Sequence, residues 1–282
     1  MPQLVVLMPV RNGERTIVDA VKSTLRALPS DGELVVFNDG SSDNTMQLLS
    51  AFNSTSLRVL GDSSSSIGVA GALNALIRAS DSDLVARMDA DDICLPGRLK
   101  YQMSRIKRGV DVSFTNTLHF GVGLPRPSLP VQLKTSLIAS LLLTSNPVAH
   151  STMMCRRDVL EQSGGYRECM AEDYDLWLRL AASGHRLERS AVPFLAYRHH
   201  AGQVTSASNW SERAESEPMI EDARRSLAAI VYPRWTDHAL RRADLKNDSG
   251  FRWVDDVSRS LNLTTIERSI LLSRAKRTYP HE

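Results

Sequence analysis

Cysteine is scarce in this chain, and the three present, Cys94, Cys155 and Cys169, show no C-x-x-C spacing. That excludes a thiolate zinc framework and a disulfide scaffold, and leaves free thiols suited to a reducing compartment. Long apolar runs are missing as well. The longest, Leu137 to Leu143, falls far short of the roughly 20 residues that a membrane-spanning helix needs. Nor is there an excess of one charge: 34 Lys and Arg face 32 Asp and Glu, a formal net charge of +2, so no overall field points to nucleic acid. The first residues enter an apolar strand pattern directly, with no basic region and small-residue cleavage site, and a cytoplasmic protein is expected. Three local signatures are absent too: a G-x-S-x-G elbow, a G-x-x-x-x-G-K-[ST] loop, and a G-x-G-x-x-G after the first strand. Their absence argues against an α/β-hydrolase, a P-loop enzyme and a dinucleotide dehydrogenase.

What is present is the balance of a globular protein: 282 residues, 42% hydrophobic and 23% charged. That length suits one large domain, or a domain with an appendage. Leu4 to Val10 reads as a strand buried on both faces, and Thr16 to Leu28 carries apolar residues at helical spacing. Further strands are predicted at Leu34–Phe37, Leu57–Leu60 and Leu84–Met88. Helices are predicted from Ser41 or Ser42, as cap, through Phe52, and over Gly68 to Ala79. Alternation of this kind implies a mostly parallel sheet covered by helices on both faces. Such sheets bind ligands beyond the carboxyl ends of their strands, and three polar clusters fall on that edge: Arg11–Glu14, Asn38–Asp43 and Asp89–Asp92. Further on, Gly121 to Pro130 reads as a loop, Leu133 to Leu143 as a helix, and Asp173 to Ser183 as an amphipathic helix stopped by Gly184. Beyond about Ser206 the pattern is helical and charged, best over Trp210–Ile230 and Thr264–Lys276, which predicts a small helical appendage.

The acidic cluster Asp89-Ala90-Asp91-Asp92 follows an apolar strand. Crowded carboxylates repel, so they favour a cation, and oxygen ligands suit Mg²⁺ or Mn²⁺. The alternative is an acidic turn that caps the next helix. An EF-hand is excluded because Cys94 and Lys100 stand where its Gly and Glu would be. Asn38-Asp39-Gly40 offers Asp39 to a base or ribose, or else forms only a turn. Glu172-Asp173 at a helix start serves either as a cap or as an oriented, ionised general base. Tyr197-Arg198-His199-His200 ends a strand pattern; its histidines suit metal or phosphate, or simple packing, and Arg198 suits an anion.

Taken in order, Met8-Pro9-Val10-Arg11-Asn12-Gly13-Glu14, Asn38-Asp39-Gly40-Ser41-Ser42-Asp43, Asp89-Ala90-Asp91-Asp92 and Ala171-Glu172-Asp173-Tyr174-Asp175-Leu176-Trp177 resemble glycosyltransferase family 2. Gly68 to Asn74, Pro96-Gly97-Arg98-Leu99 and Gly164-Gly165-Tyr166 support the resemblance, which spans about Leu4 to Ser206. It implies a GT-A fold over 1–206, followed by a helical region over 207–282, and an inverting mechanism. It also implies that Pro9, Arg11, Glu14, Asp39, Gly68 and Asp89 bind the nucleotide, and that Asp91, Asp89 and His200 hold Mn²⁺ or Mg²⁺. Asp173 would then be the catalytic base, supported by Glu172. The chain departs from the family at Arg11, where tyrosine is commoner.

The partners so implied are a nucleotide-sugar donor and a carbohydrate or lipid-linked saccharide acceptor, in cell-surface polysaccharide or glycolipid synthesis, with no nucleic acid. A lipid-linked acceptor would bring the enzyme to the inner face of the membrane. There Arg268, Arg274, Lys276 and Arg277 would make a peripheral contact, unless they form a solvated helix face. Two other readings compete: a sugar-nucleotide nucleotidyltransferase, and a non-catalytic sugar-nucleotide-binding module.

Overall fold

The apolar run after Gln3 forms the central strand of the molecule. A computed structural model describes residues 3–62, 64–200, 213–214, 217–231 and 264–278. In it β1 (Leu4–Val10) is almost wholly buried and pairs in parallel with β2 (Gly32–Asp39) on one side and β4 (Leu84–Arg87) on the other. β3 (Leu57–Asp62) joins β2, also in parallel. The crossovers are α1 (Ile17–Ala27), α2 (Thr45–Ser50) and α3 (Gly68–Ala79). Helix α1 turns Ile17, Ala20, Val21 and Thr24 to the sheet, the spacing of a single helical face. With parallel strands, the loops after β1, β2 and β4 all leave from the same edge.

The remaining strands make the sheet mixed. Among the described residues nine strands form one sheet, in the order β3-β2-β1-β4-β8-β6-β9-β5, with β7 on β6. Here β5 is Ile93–Cys94, β6 Val112–Phe120, β7 Arg126–Pro127, β8 Met154–Arg156 and β9 Leu187–Arg198. β8 runs antiparallel to both β4 and β6, whereas β9 lies parallel to β6. The predicted loop Gly121–Pro130 thus contains a strand, because Leu118 and His119 pair with Pro127 and Arg126. The helices α4 (Arg98–Lys107) and α6 (Arg157–Gln162) complete this part of the chain.

Ser41 and Ser42 do not cap α2, whose cap position is Asn44. Instead the Asp43 carboxylate accepts the Thr45 amide proton at 3.0 Å, a side-chain turn that does the capping work one residue further on. Helix α7 (Glu172–Ala182) begins at Glu172, one residue before the predicted start at Asp173, so both carboxylates occupy its first turn.

Backbone contacts divide the chain into two units. The first comprises Met1–Gln132, Val148–Glu168 and Arg186–Trp210, and holds the whole sheet. The second comprises Leu133–Pro147, Cys169–His185 and Ser211–Glu282. It gathers α5 (Thr135–Leu142), α7, α8 (Pro218–Val231) and α9 (Thr265–Thr278). Helices α5 and α7, which lie before residue 206, therefore group with those that follow it. Pro218 opens α8, where a missing N–H costs nothing. Thr264 and Glu267 form a reciprocal capping box at the start of α9, with bonds of 2.8 and 3.3 Å. Ser206 and Trp210, expected at the start of the helical region, lie outside the described residues, as do the side chains of Arg274, Lys276 and Arg277. Among the described residues no helix is long and apolar enough to cross a membrane.

Candidate active site

The loops after β1 and β2 are stitched together main chain to side chain. Asn12 and Gly13 donate their amides to Ser41 Oγ (3.0 Å) and Thr45 Oγ1 (2.8 Å), and Glu14 donates to Asp43 Oδ2 (3.0 Å). In return the Ser42 amide donates to Asn12 Oδ1 at 2.8 Å. Asn12 is held in the left-handed region (φ 54°), which Asn tolerates better than most residues. Gly40 adopts φ +72°, and a Cβ there would lie 3.0 Å from the Ser65 backbone, so glycine is required. Glu14 is exposed and accepts from the Asn44 amide and side chain. Pro9 lies within β1 opposite Phe37.

Asp39, at the end of β2, is 5% exposed. Its carboxylate accepts from Ser66 Oγ (2.8 Å), Ile67 N (2.6 Å) and Gly68 N (3.1 Å), at the positive end of α3. Arg11 reaches the same Ser66 hydroxyl at 3.4 Å. Arg11, Asp39 and Gly68 are thus brought to one rim, Arg11 through Ser66 and Gly68 through the Asp39 carboxylate itself.

After β4, Asp89, Asp91 and Asp92 present carboxylate oxygens that all lie within 4.8 Å of one another. Each is held differently. Asp89 pairs with the buried Arg87 at 2.6 Å. His200 Nε2 lies 2.9 Å from Asp91 Oδ2, which brings the end of the β9 segment to the acidic loop. Asp92 is 1% exposed and accepts from Ser151 Oγ (2.7 Å) and the Arg198 amide (2.9 Å). Burial, with repulsion from Asp89 and Asp91 next, pushes the Asp92 carboxyl well above the usual carboxylate range. The Arg198 side chain lies over the Phe120 ring and donates to the Asp91 carbonyl at 2.8 Å. A divalent cation fits this set: crowded acidic oxygens with one imidazole nitrogen match the donors that Mn²⁺ and Mg²⁺ take, and a cation relieves their mutual repulsion. Among the described residues the group whose ligand atoms lie close enough to share an ion is Asp89, Asp91 and Asp92, with His200 beside Asp91.

Asp173 and Glu172 belong to the helical unit. Asp173 Oδ2 accepts from Asn146 Nδ2 at 2.9 Å, so a neighbour outside α7 sets the direction of the carboxylate. Glu172 is buried in the first helical turn.

Several supporting residues were given no role in the sequence reading. Arg98 is fully buried and donates to the Arg87 and Ser151 carbonyls (2.7 and 2.6 Å) and to Gln102 (3.1 Å). Gln102, also buried, donates to the Ser113 and Thr152 carbonyls. Together they tie the end of β4, the start of β6 and the Ser151–Thr152 turn to α4. Arg98 stood within a supporting motif, so a signal existed; nothing local marked Gln102, Ser151 or Asn146.

The family model described as Glycosyl transferase family 2 matches residues 5–164. The chain is 31% identical over 234 residues to UDP-Glc:alpha-D-GlcNAc-diphosphoundecaprenol beta-1,3-glucosyltransferase WfgD of Escherichia coli, covering 80% of this chain and 89% of that one. It is 30% identical over 281 residues to succinoglycan biosynthesis protein ExoU of Rhizobium meliloti (strain 1021), covering 87% and 80%. Among solved structures, S. aureus TarS 1–349 in complex with UDP-GlcNAc has a similar fold, with a TM-score of 0.63 at 17% identity over 99% of this chain and 89% of that one.

Proposed function

The chain belongs to glycosyl transferase family 2, and from that premise we propose that it is an inverting, metal-dependent enzyme. It moves a sugar from a nucleoside-diphosphate donor, UDP-linked, to an acceptor hydroxyl in cell-surface polysaccharide or glycolipid synthesis. The acceptor is a saccharide, free or lipid-linked. A cytoplasmic location, at the inner membrane face when the acceptor carries a lipid, goes with this reading. The observation that carries it is the convergence of Asp89, Asp91 and Asp92 beyond β4, beside the stitched loops after β1 and β2.

In this mechanism Pro9, Arg11, Glu14, Asp39, Gly68 and Asp89 bind and orient the nucleotide. Asp91, Asp89 and His200 would hold a divalent cation, which would supply positive charge where the diphosphate departs. Asp173 accepts the proton of the acceptor hydroxyl, with Glu172 in support. The freed oxygen lone pair attacks the anomeric carbon while the bond to the diphosphate oxygen breaks and its electron pair leaves with the nucleotide. Attack from the face opposite the leaving group inverts the centre in one displacement, so an α-linked donor yields a β-linked product.

The testing variant is Asp173→Asn, which preserves size and the contact with Asn146 but cannot take up the proton. It is expected to bind UDP-sugar as the parent does and to lose at least a hundredfold in turnover, the usual worth of a general base. Full turnover in this variant would remove Asp173 from the mechanism.

A further inference from the structure

An open groove of about 700 Å³ runs between α1 and α4 in the sheet-bearing unit, within the size range of ligand sites. None of the residues placed in the carboxylate site lines it. Its surface is mainly apolar, supplied by Ala27 and Leu28 at the end of α1, by Ile93 and Leu95 around β5, and by Met103 of α4. The lining follows helical spacing on both sides. Ser23, Arg26 and Ala27 share one face of α1, while Lys100, Met103, Ser104 and Lys107 share one face of α4.

Three cations belong to this lining, Arg26, Lys100 and Lys107, and no carboxylate does. All three are exposed, and none is paired among the described residues. Asp19 of α1 pairs with Arg198 and Glu188 of β9 with Arg105, while Asp31, two residues beyond the lining residue Pro29, is exposed and lies outside the lining. An apolar trough edged by unpaired positive charge is complementary to one chemistry: a hydrocarbon chain that ends in an anionic head. A neutral apolar ligand would leave the cations without a role, and a polar anion would leave the trough unfilled. We propose that this groove binds an anionic phospholipid of a membrane surface, its acyl chain along Leu28, Ile93 and Met103 and its phosphate among Arg26, Lys100 and Lys107. The flexible thioether of Met103 suits a chain of variable packing.

The proposal is independent of the transferase reading, and vesicle binding without any sugar or metal tests it alone. The full chain is expected to co-sediment with phosphatidylglycerol vesicles and not with phosphatidylcholine vesicles. Lys100→Gln with Lys107→Gln should weaken that binding roughly 25-fold, about fivefold for each charge removed near an anionic surface. Ala27→Phe fills the groove without altering charge and should also weaken it, by at least tenfold. Thermal unfolding of each variant separates misfolding from lost binding, and Ala27→Leu provides a smaller obstruction if Ala27→Phe fails to fold. Equal binding to both vesicle types would overturn the proposal, as would a charge variant that binds like the parent. Undiminished binding by the obstructed variant would mean surface attraction alone and would equally overturn the groove. Competition by glycerol 3-phosphate as effective as by a short-chain phosphatidylglycerol would assign the site to free phosphate instead, against the proposal. Asp91→Asn should bind vesicles unchanged while losing transfer, which keeps the two conclusions distinguishable.

Discussion

Asp92 and Arg98 are a buried acid and a buried base that do not touch one another through a direct ion pair, yet both shape the acidic loop. Arg98 donates to the carbonyls of Arg87, just before that loop, and of Ser151, whose hydroxyl holds Asp92, so replacing it leaves buried acceptors with no donor. Arg98→Met is expected to cost about 3 kcal/mol, read as a lower urea midpoint with an unchanged slope. Arg98→Lys should not restore it, because a single ammonium cannot span both carbonyls and Gln102 as a planar fork does. His119 offers a pH test. Its Nδ1 lies 2.7 Å from His199 Nε2 and its Nε2 lies 2.6 Å from Ser128 Oγ. Burial first, then repulsion from His199 and Arg126, lowers the His119 pKa. The unfolded chain therefore takes up a proton as pH falls through about 6.5 while the folded chain resists it, so stability is lost on acidification through that range. Urea midpoints at pH 7.5 and 5.5 should differ in the parent, and the difference should shrink in His119→Gln.

At the scale of elements, the parallel half of the sheet decides where chemistry sits. β1, β2 and β4 end at one edge, and the loops after β1 and β2 are joined by side chains of the opposite loop rather than by strand pairing. Gly40 is the pivot of this arrangement. Gly40→Ala should destabilise the fold by about 1 kcal/mol or more, since its left-handed backbone and the close approach of Ser65 both oppose a methyl group. Donor affinity should fall with it, measured by calorimetry with UDP-sugar. The strands β1 to β4 were legible because apolar runs such as Leu4–Val10 are buried on both faces and bounded by polar turns. β7 was not legible: Arg126–Pro127 is a two-residue exposed strand whose only reason to exist is its partner β6. The α2 cap was misread for a related reason. Ser41 and Ser42 had the right chemistry for a cap, but Asn12, distant in sequence, engaged them instead.

For the whole molecule, ligand binding should appear as stability. Mn²⁺ at a hundred times its dissociation constant would add about 2.7 kcal/mol, a rise of roughly 5 °C in midpoint for a chain of this size. Asp91→Asn should lose most of that rise in a thermal-shift assay, and an undiminished rise would take Asp91 out of the cation site. Composition, alternating strand and helix patterns, and four acidic or polar motifs in order were sufficient to reach the fold class and the family. Each of these depends on local periodicity or on residue type at short spacing, which a chain carries wherever it folds. The partners of those motifs were beyond that reach. That His200 meets Asp91, that Ser151 and Arg198 hold Asp92, that Asn146 orients Asp173, and that α1 and α4 face one another across a cation-edged groove all involve residues dozens of positions apart. Such contacts are selected by how helices and strands pack against a shared core, and packing exists only once the chain has closed on itself.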